Sequence, residues 1–415
     1  MRGRLVALCV ALACFGPYVA SGIRSEQVVV YGLAVLAVVT AAARMWLPGR
    51  MVAASVAWLL LAVMAAVGTL TVEVRSGGDP LAGLDALLLP VAVLAVVAAI
   101  PTERRFAALQ AVATVVVVAG AANTGISWLQ STGQMPVGLA DWLPVGDQAS
   151  GARAALQGRY TGIMNQPALA GCFYALALLL ASWRIRGRVL LALVWAMLCF
   201  GGVLSGSKAF LYVGLPVALL YLILARTGRG PFVSTVLAGA VTAVAAVAVG
   251  AVGEGFVGQV TGNRYGDQGA GGNVLRLARE SIQLDPLGHG LGGLPRATDS
   301  QWLQVIDFAG VPGAVILAAV LVLLWAAAWR APHPSTRALS VAVVVLTVAA
   351  SFAFPLLTGN RIAPLLWMVL ALGVSASAPA LDVSRLPRSR RKREAREDRR
   401  RVAHRRKVER LTSGC

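Results

Sequence analysis

The chain has 415 residues, of which 58% are hydrophobic and only 13% charged, and it carries a formal net charge of +19. An ordinary soluble domain carries about 25% charged residues, so the composition excludes one. Cys9, Cys14, Cys172, Cys199 and Cys415 show no metal-ligand spacing, and no two of them share an outward connection, which argues against a zinc site and against a structural disulfide.

An apolar stretch of about 20 residues spans the hydrocarbon core of a bilayer. Such stretches fall near 5–23, 27–43, 51–72, 84–100, 106–123, 165–183, 189–204, 208–225, 231–252, 301–328, 338–357 and 362–380. They predict an all-α, polytopic membrane domain over 1–380 with about 12 transmembrane helices, followed by a basic tail over 381–415. The N-terminal segment has the look of a signal peptide. The orientation of the later spans stays consistent if it is retained, so an uncleaved first helix is expected.

Orientation follows from where arginine and lysine fall. One set of connections holds Arg2/Arg4, Arg44/Arg50, Arg104/Arg105, Arg184/Arg186/Arg188, Arg226/Arg229 and Arg330/Arg337. The acidic residues before the tail fall in the other set, from Glu26, Asp79 and Asp85 to Asp285, Asp299 and Asp307, with Glu103 as the exception. Both termini are therefore expected in the cytoplasm, and the long connections 124–164 and 253–300 outside it.

The first four spans carry little polar content and read as scaffold. The first long loop ends in Arg159-Tyr160-Thr161-Gly162-Ile163-Met164-Asn165-Gln166-Pro167 and runs straight into a span. Leu204-Ser205-Gly206-Ser207-Lys208-Ala209-Phe210 then forms a tight outward turn holding the only lysine before the tail. The second long loop opens Gly-rich and passes into a helical pattern. Leu275, Ala278 and Ile282 share one face, and Arg276, Arg279, Glu280 and Gln283 the other, with Arg276 and Glu280 spaced as an i, i+4 pair. This predicts a short amphipathic helix on the outer membrane face. Pro286, Gly288 and Gly290 end it, and the chain passes His289, Arg296 and Asp299 before re-entering the membrane at Trp302.

Charge is costly in lipid, so the polar island 273–313 marks where chemistry or recognition is expected. Arg159, Lys208, Arg276, Arg279, Arg296 and Arg361 place cations on the side that topology leaves poor in them. Arginine's planar fork suits phosphate. A lipid-linked pyrophosphate fits, with its charge at headgroup level and its tail between helices. A hydroxyl acceptor needs a base within reach, and Asp299 and His289 are the candidates. No metal and no cofactor is implied. The Arg-rich run 385–410 reads as a solvated tail held against anionic membrane lipids. It contains no folded basic module, so a nucleic-acid partner is not expected.

In their order these segments resemble the O-antigen ligase and Wzy-type polymerase superfamily of bacterial membrane glycosyltransferases. Arg159 to Ala170 is similar to its Arg-x-x-Gly-x-x-x-x-Pro/Asn entry into a span. Ser205 to Ala209 is similar to its Ser-x-Ser-Arg-Gly turn, with Lys208 for arginine. Leu284 to Gly292 resembles its Pro-Leu-Leu-Gly-x-Gly segment, and Asp299 to Gly313 its His-Asn-x-x-Leu-Gln…Glu-x-Gly-x-x-Gly segment. The resemblance implies metal-independent transfer of a glycan from a polyprenyl-pyrophosphate donor to a glycan or lipid acceptor, outside the cytoplasmic membrane. Arg159, Lys208, Arg276 and Arg279 would hold the pyrophosphate. Asp299 and Ser300 stand where the family's ligases carry His-Asn, which favours polymerase-like chemistry and makes Asp299 the expected base, with His289 in reserve. Arg276 and Arg279 lie closer to Pro286 than the family spacing. A transporter or flippase for a lipid-linked or anionic solute is the alternative, although its coupling charges would be expected near the bilayer midplane. A scaffold docking partners through the tail is a third reading.

Overall fold

The computed structural model describes residues 3–20, 23–71, 79–134, 154–164, 166–227, 270–293, 300–352, 354–359 and 361–376. Its first elements are α1 (Gly3–Ala13), a two-stranded hairpin of β1 (Tyr18–Ala20) and β2 (Ile23–Arg24), α2 (Ser25–Ala41), α3 (Gly49–Thr71), α4 (Pro80–Ala98) and α5 (Thr102–Ser131). Then come α6 (Pro167–Arg184), α7 (Arg188–Leu204), a π-turn at Phe210–Gly214 leading into α8 (Leu215–Thr227), α9 (Ala270–Leu284), α10 (Gln301–Trp329), α11 (Pro334–Ser351) and α12 (Ile362–Ser375). Among the described residues, seven helices, α2 to α6 with α10 and α11, are long and apolar enough to cross a membrane, and four shorter apolar helices accompany them. Together they coincide with every predicted span except 231–252, which lies outside the described residues, as does the tail.

The boundaries differ most from the sequence reading at two places. The first helix stops at Ala13 and does not continue to 23. Gly16 and Pro17 end it, because proline has no N–H and disfavours a helical residue before it. Ser25 ties the returning chain back by donating from its hydroxyl to the Ala13 carbonyl (2.8 Å). The second difference is α5, which runs about two turns past 123, so that 124–131 is helix and not loop.

α12 is buried along its whole length from Ile362 to Ser375, and α6 from Leu169 to Ser182. A helix apolar on every side belongs in the centre of a bundle. α5 and α11 pack on both of them, α4 closes on α12, and α8 on α6. Trp58 and Trp367 meet edge to face at 5.4 Å. Their indole N–H groups donate to the carbonyls of Leu87 (2.8 Å) and Leu357 (3.1 Å), which removes the cost of burying them.

The connections sort to two ends of this bundle. At one, Arg50 donates to the Ala326 carbonyl at 3.0 Å. Arg105, buried, caps the C-terminus of α4 through the carbonyls of Ala98 and Ile100, reaches the Trp46 carbonyl and lies over the Trp46 ring. Orphan helix-end carbonyls need such partners. Phe106 packs against Trp183 and His333 at the same end. These are the Arg-rich connections of the sequence.

The opposite end carries acidic residues. Asp85 of α4 accepts from Arg24 Nη2 (2.7 Å), Gln27 Nε2 (2.7 Å) and the Tyr31 hydroxyl (2.9 Å). Arg24 also pairs with Glu26 at 3.3 Å. Glu26, fully inside the bundle, is within electrostatic reach of the Arg361 guanidinium and backbone N–H at the start of α12. This cluster joins the α1–α2 corner to α4 and α12.

Removing one member of a buried ion pair costs about 3–5 kcal/mol, because the other charge is left uncompensated. Asp85→Ala is expected to lower the thermal midpoint in detergent, and adding Arg24→Met to lower it further, because Glu26 then loses its 3.3 Å partner as well. A midpoint for Asp85→Ala equal to the parent's contradicts the cluster's structural role.

Candidate functional site

The stretch after Arg159 has almost no secondary structure of its own, and α5 supplies what it lacks. Asn123, fully buried, accepts from the Ile163 N–H through Oδ1 (2.8 Å). Its Nδ2 donates to the Thr161 carbonyl (3.2 Å) and to the Tyr174 hydroxyl (3.0 Å). Two turns on, Gln130 accepts from the Gly162 N–H (2.8 Å) and donates to the Gly162 carbonyl (3.4 Å). Residues seven apart share a helix face, so one edge of α5 grips the segment with two amides. Gly162 lies at φ +66°, and a Cβ there would collide with the Asn123 amide. Only glycine adopts that conformation without strain.

The same segment docks on the turn between α7 and α8. Tyr160 donates its N–H to the Leu204 carbonyl (2.8 Å). Gly206, at φ +57°, leaves room for the stem of Arg159, whose Cγ would lie 2.8 Å from a Cβ at that position. Ser205 and Ser207 are buried beneath the turn: Ser205 donates to the Gly202 carbonyl (2.6 Å), and Ser207 Oγ accepts from the Phe210 N–H (3.3 Å). Lys208 opens the next helix, half-buried like Arg159. Two segments that the sequence singled out separately, 159–167 and 204–210, thus form one structure.

The third segment enters a broken helix. α10 loses helical geometry at Ala309 (φ −138°, ψ 20°) and Gly310 (φ 60°, ψ −150°), just before Pro312. The break leaves backbone groups unpaired, and the loop 285–293 pairs them. His289 N–H donates to the Asp307 carbonyl (2.8 Å), Gly290 N–H to the Phe308 carbonyl (3.1 Å), and Val311 N–H to the Pro286 carbonyl (3.0 Å). The loop is fixed on its far side as well. Leu291 N–H donates to Thr69 Oγ1 (2.7 Å) at the end of α3, and Gly83 of α4 lies directly against the Leu291 carbonyl. His289 is half-buried, and its Nε2 is buried without a hydrogen-bond partner among the described residues.

Several expected residues sit differently. Arg361, counted in the sequence among the outward-facing cations, is 3% exposed and lies in the left-handed region at φ 63°. It belongs to the Glu26 cluster, because a guanidinium that deep is tolerable only beside carboxylates. Arg279 is exposed on α9, which packs against α10 and so is anchored by more than membrane adhesion. Arg276 is on the same helix, but its side chain lies outside the described residues, and Asp299 and Arg296 lie outside them altogether. Asn123, Gln130 and Tyr174 did not emerge from the sequence as site residues. Their signal was present: Asn123, Ser127 and Gln130 continue the helical spacing of an apolar span, with Gly125 as the one breaker between them.

No protein-family model matches the chain, and no curated protein matches it.

Gly310 combines a glycine-only backbone conformation with contact against the Pro286 carbonyl. Such strain costs on the order of 1–3 kcal/mol. Gly310→Ala is expected to lower the thermal midpoint in detergent, whereas Gly32→Ala, in α2 with open space around it, is expected to leave it level or slightly raised. Equal midpoints for the two variants contradict the pairing of loop and break.

Proposed function

We propose that this chain is a membrane glycosyltransferase that moves a glycan from a polyprenyl-pyrophosphate donor to an acceptor hydroxyl, as an envelope polysaccharide polymerase or ligase. The observation that carries this reading is the union of the Arg159 segment with the Ser205–Lys208 turn, at the end of the bundle away from the Arg-rich connections. Two half-buried cations on adjoining backbone suit a pyrophosphate. Arginine donates in pairs to phosphate oxygens, and fixed cations stabilise the charge that develops on a departing pyrophosphate. Arg276 and Arg279 on α9 are the further donors. Neither role requires a metal or a cofactor.

The acceptor hydroxyl needs a proton acceptor. Asp299 is the first candidate, and His289, whose Nε2 sits on a loop held by three backbone hydrogen bonds to α10, is the reserve. The site faces outward from the cytoplasmic membrane, both termini lie in the cytoplasm, and the basic tail rests against anionic headgroups.

The broken α10 favours a second reading, a transporter or flippase, because interrupted helices often bind solutes in transporters. In this chain the freed carbonyls of Asp307 and Phe308 and the freed N–H of Val311 are already paired with the loop. That weighs toward a structural break.

In membranes from cells lacking the chain, complementation with Arg159→Ala is expected to accumulate lipid-linked donor and to slow its turnover about 100-fold, the scale for losing one group that stabilises developing charge. Thin-layer or liquid chromatography of the extracted lipid-linked glycans reads this directly. Normal turnover in Arg159→Ala contradicts the proposed site, and donor transported across reconstituted vesicles without transfer selects the second reading.

A further inference from the structure

We propose that Asn123 and Gln130 are positioning residues that set the direction of Arg159 toward an anionic diphosphate ligand. The proposal rests on the reading of Arg159 as a pyrophosphate-binding group. The Thr161 carbonyl, both polar groups of Gly162 and the Ile163 N–H all end on these two amides. The backbone that carries Arg159 is therefore registered against α5 by side chains and not by a helix or sheet of its own.

The grip is built for this purpose more than for holding helices together. α5 and α6 already meet through apolar groups: Gly120 of α5 faces Ala177 and Phe173 of α6. Four of the five amide hydrogen bonds go to the connecting segment, and the fifth, from Asn123, goes to Tyr174 of α6. Asn123 is itself immobilised, because the Tyr174 hydroxyl takes one of its donors. At the other end of the segment Tyr160 is tied to Leu204, and the Arg159 stem passes over Gly206. The backbone beside Arg159 and the root of its side chain are thus held against the 204–206 turn, which fixes where the guanidinium arm starts. A charged group held in place before its ligand arrives loses less freedom on binding.

Gln130 is the residue to test. It is half-buried and one position from the end of α5, so its loss leaves the core intact, whereas Asn123 is fully buried. The full-length protein in lipid nanodiscs would be titrated with undecaprenyl pyrophosphate, comparing the parent, Gln130→Ala, Arg159→Ala and the double variant. Gln130→Ala is expected to weaken binding about tenfold, the equivalent of one to two hydrogen bonds, with an unchanged thermal midpoint. The double variant is expected to bind no more weakly than Arg159→Ala alone, because an amide that acts through Arg159 has nothing left to position. Parent-like binding by Gln130→Ala overturns the proposal. So does a tenfold loss in the Arg159→Ala background equal to that in the parent, which would place the amide's effect elsewhere. If Arg159→Ala itself binds like the parent, the pyrophosphate reading of Arg159 falls, and the positioning role falls with it.

Discussion

A backbone carbonyl or N–H inside an apolar bundle must find a partner, since each one left unpaired in hydrocarbon costs several kcal/mol. α10 violates the simplest solution by breaking at Ala309 and Gly310, and the loop 285–293 restores it with three hydrogen bonds. Much of the outward end follows from that exchange. Two backbones can approach this closely only where side chains are missing, which explains glycine at 288 and 310, while Gly290 makes room for Thr69 of α3. The loop then needs its own support, and Thr69 of α3 and the bare surface at Gly83 of α4 provide it. A segment that looks in sequence like a turn between helices is a fitted insert, and His289 is carried at its centre.

The polar residues of the same end divide by how deeply they lie. Arg24 and Arg361 are sunk in the bundle beside Asp85 and Glu26, so their charges are matched inside the protein. Their work is to join α1, α2, α4 and α12. Arg159 and Lys208 stand half-buried at the mouth, where a charge is neither fully hydrated nor lost to the interior. At such depth Coulomb attraction for an incoming anion exceeds that at a fully exposed side chain. The division matters because a count of outward arginines treats all of them alike.

How far the sequence disclosed this depends on the kind of signal. Apolar stretches of membrane length located nearly every described helix, since lipid imposes length and composition together. The split of arginine from acidic connections anticipated the two ends of the bundle. The segments 159–164 and 204–208 were each singled out in the sequence, but their pairing came only with the contacts. Asn123 and Gln130 went unread because a polar run after an apolar span resembles a loop. Only the partners they grip, forty residues and thirty-two residues along the chain, show that the helix continues. Arg361 misled for the opposite reason: beside a predicted span, an arginine buried within electrostatic reach of Glu26 looks the same in sequence as one facing water.

Both described groups assigned to chemistry, Arg159 and His289, are fixed through backbone hydrogen bonds of short non-helical segments. Reacting groups gain most when they are oriented in advance, because misplacement by about 1 Å can cost about 100-fold in rate. A side chain on a free loop would lack that precision, and one on a helix would have its direction set by the helix alone. Here α5 aims one segment and the break in α10 aims the other. Each arrangement uses a conformation that a continuous helix cannot offer: positive φ at Gly162 in the first, and at Gly288, Gly290 and Gly310 in the second. Glycine at these four places is thus part of how Arg159 and His289 are held at one end of the bundle.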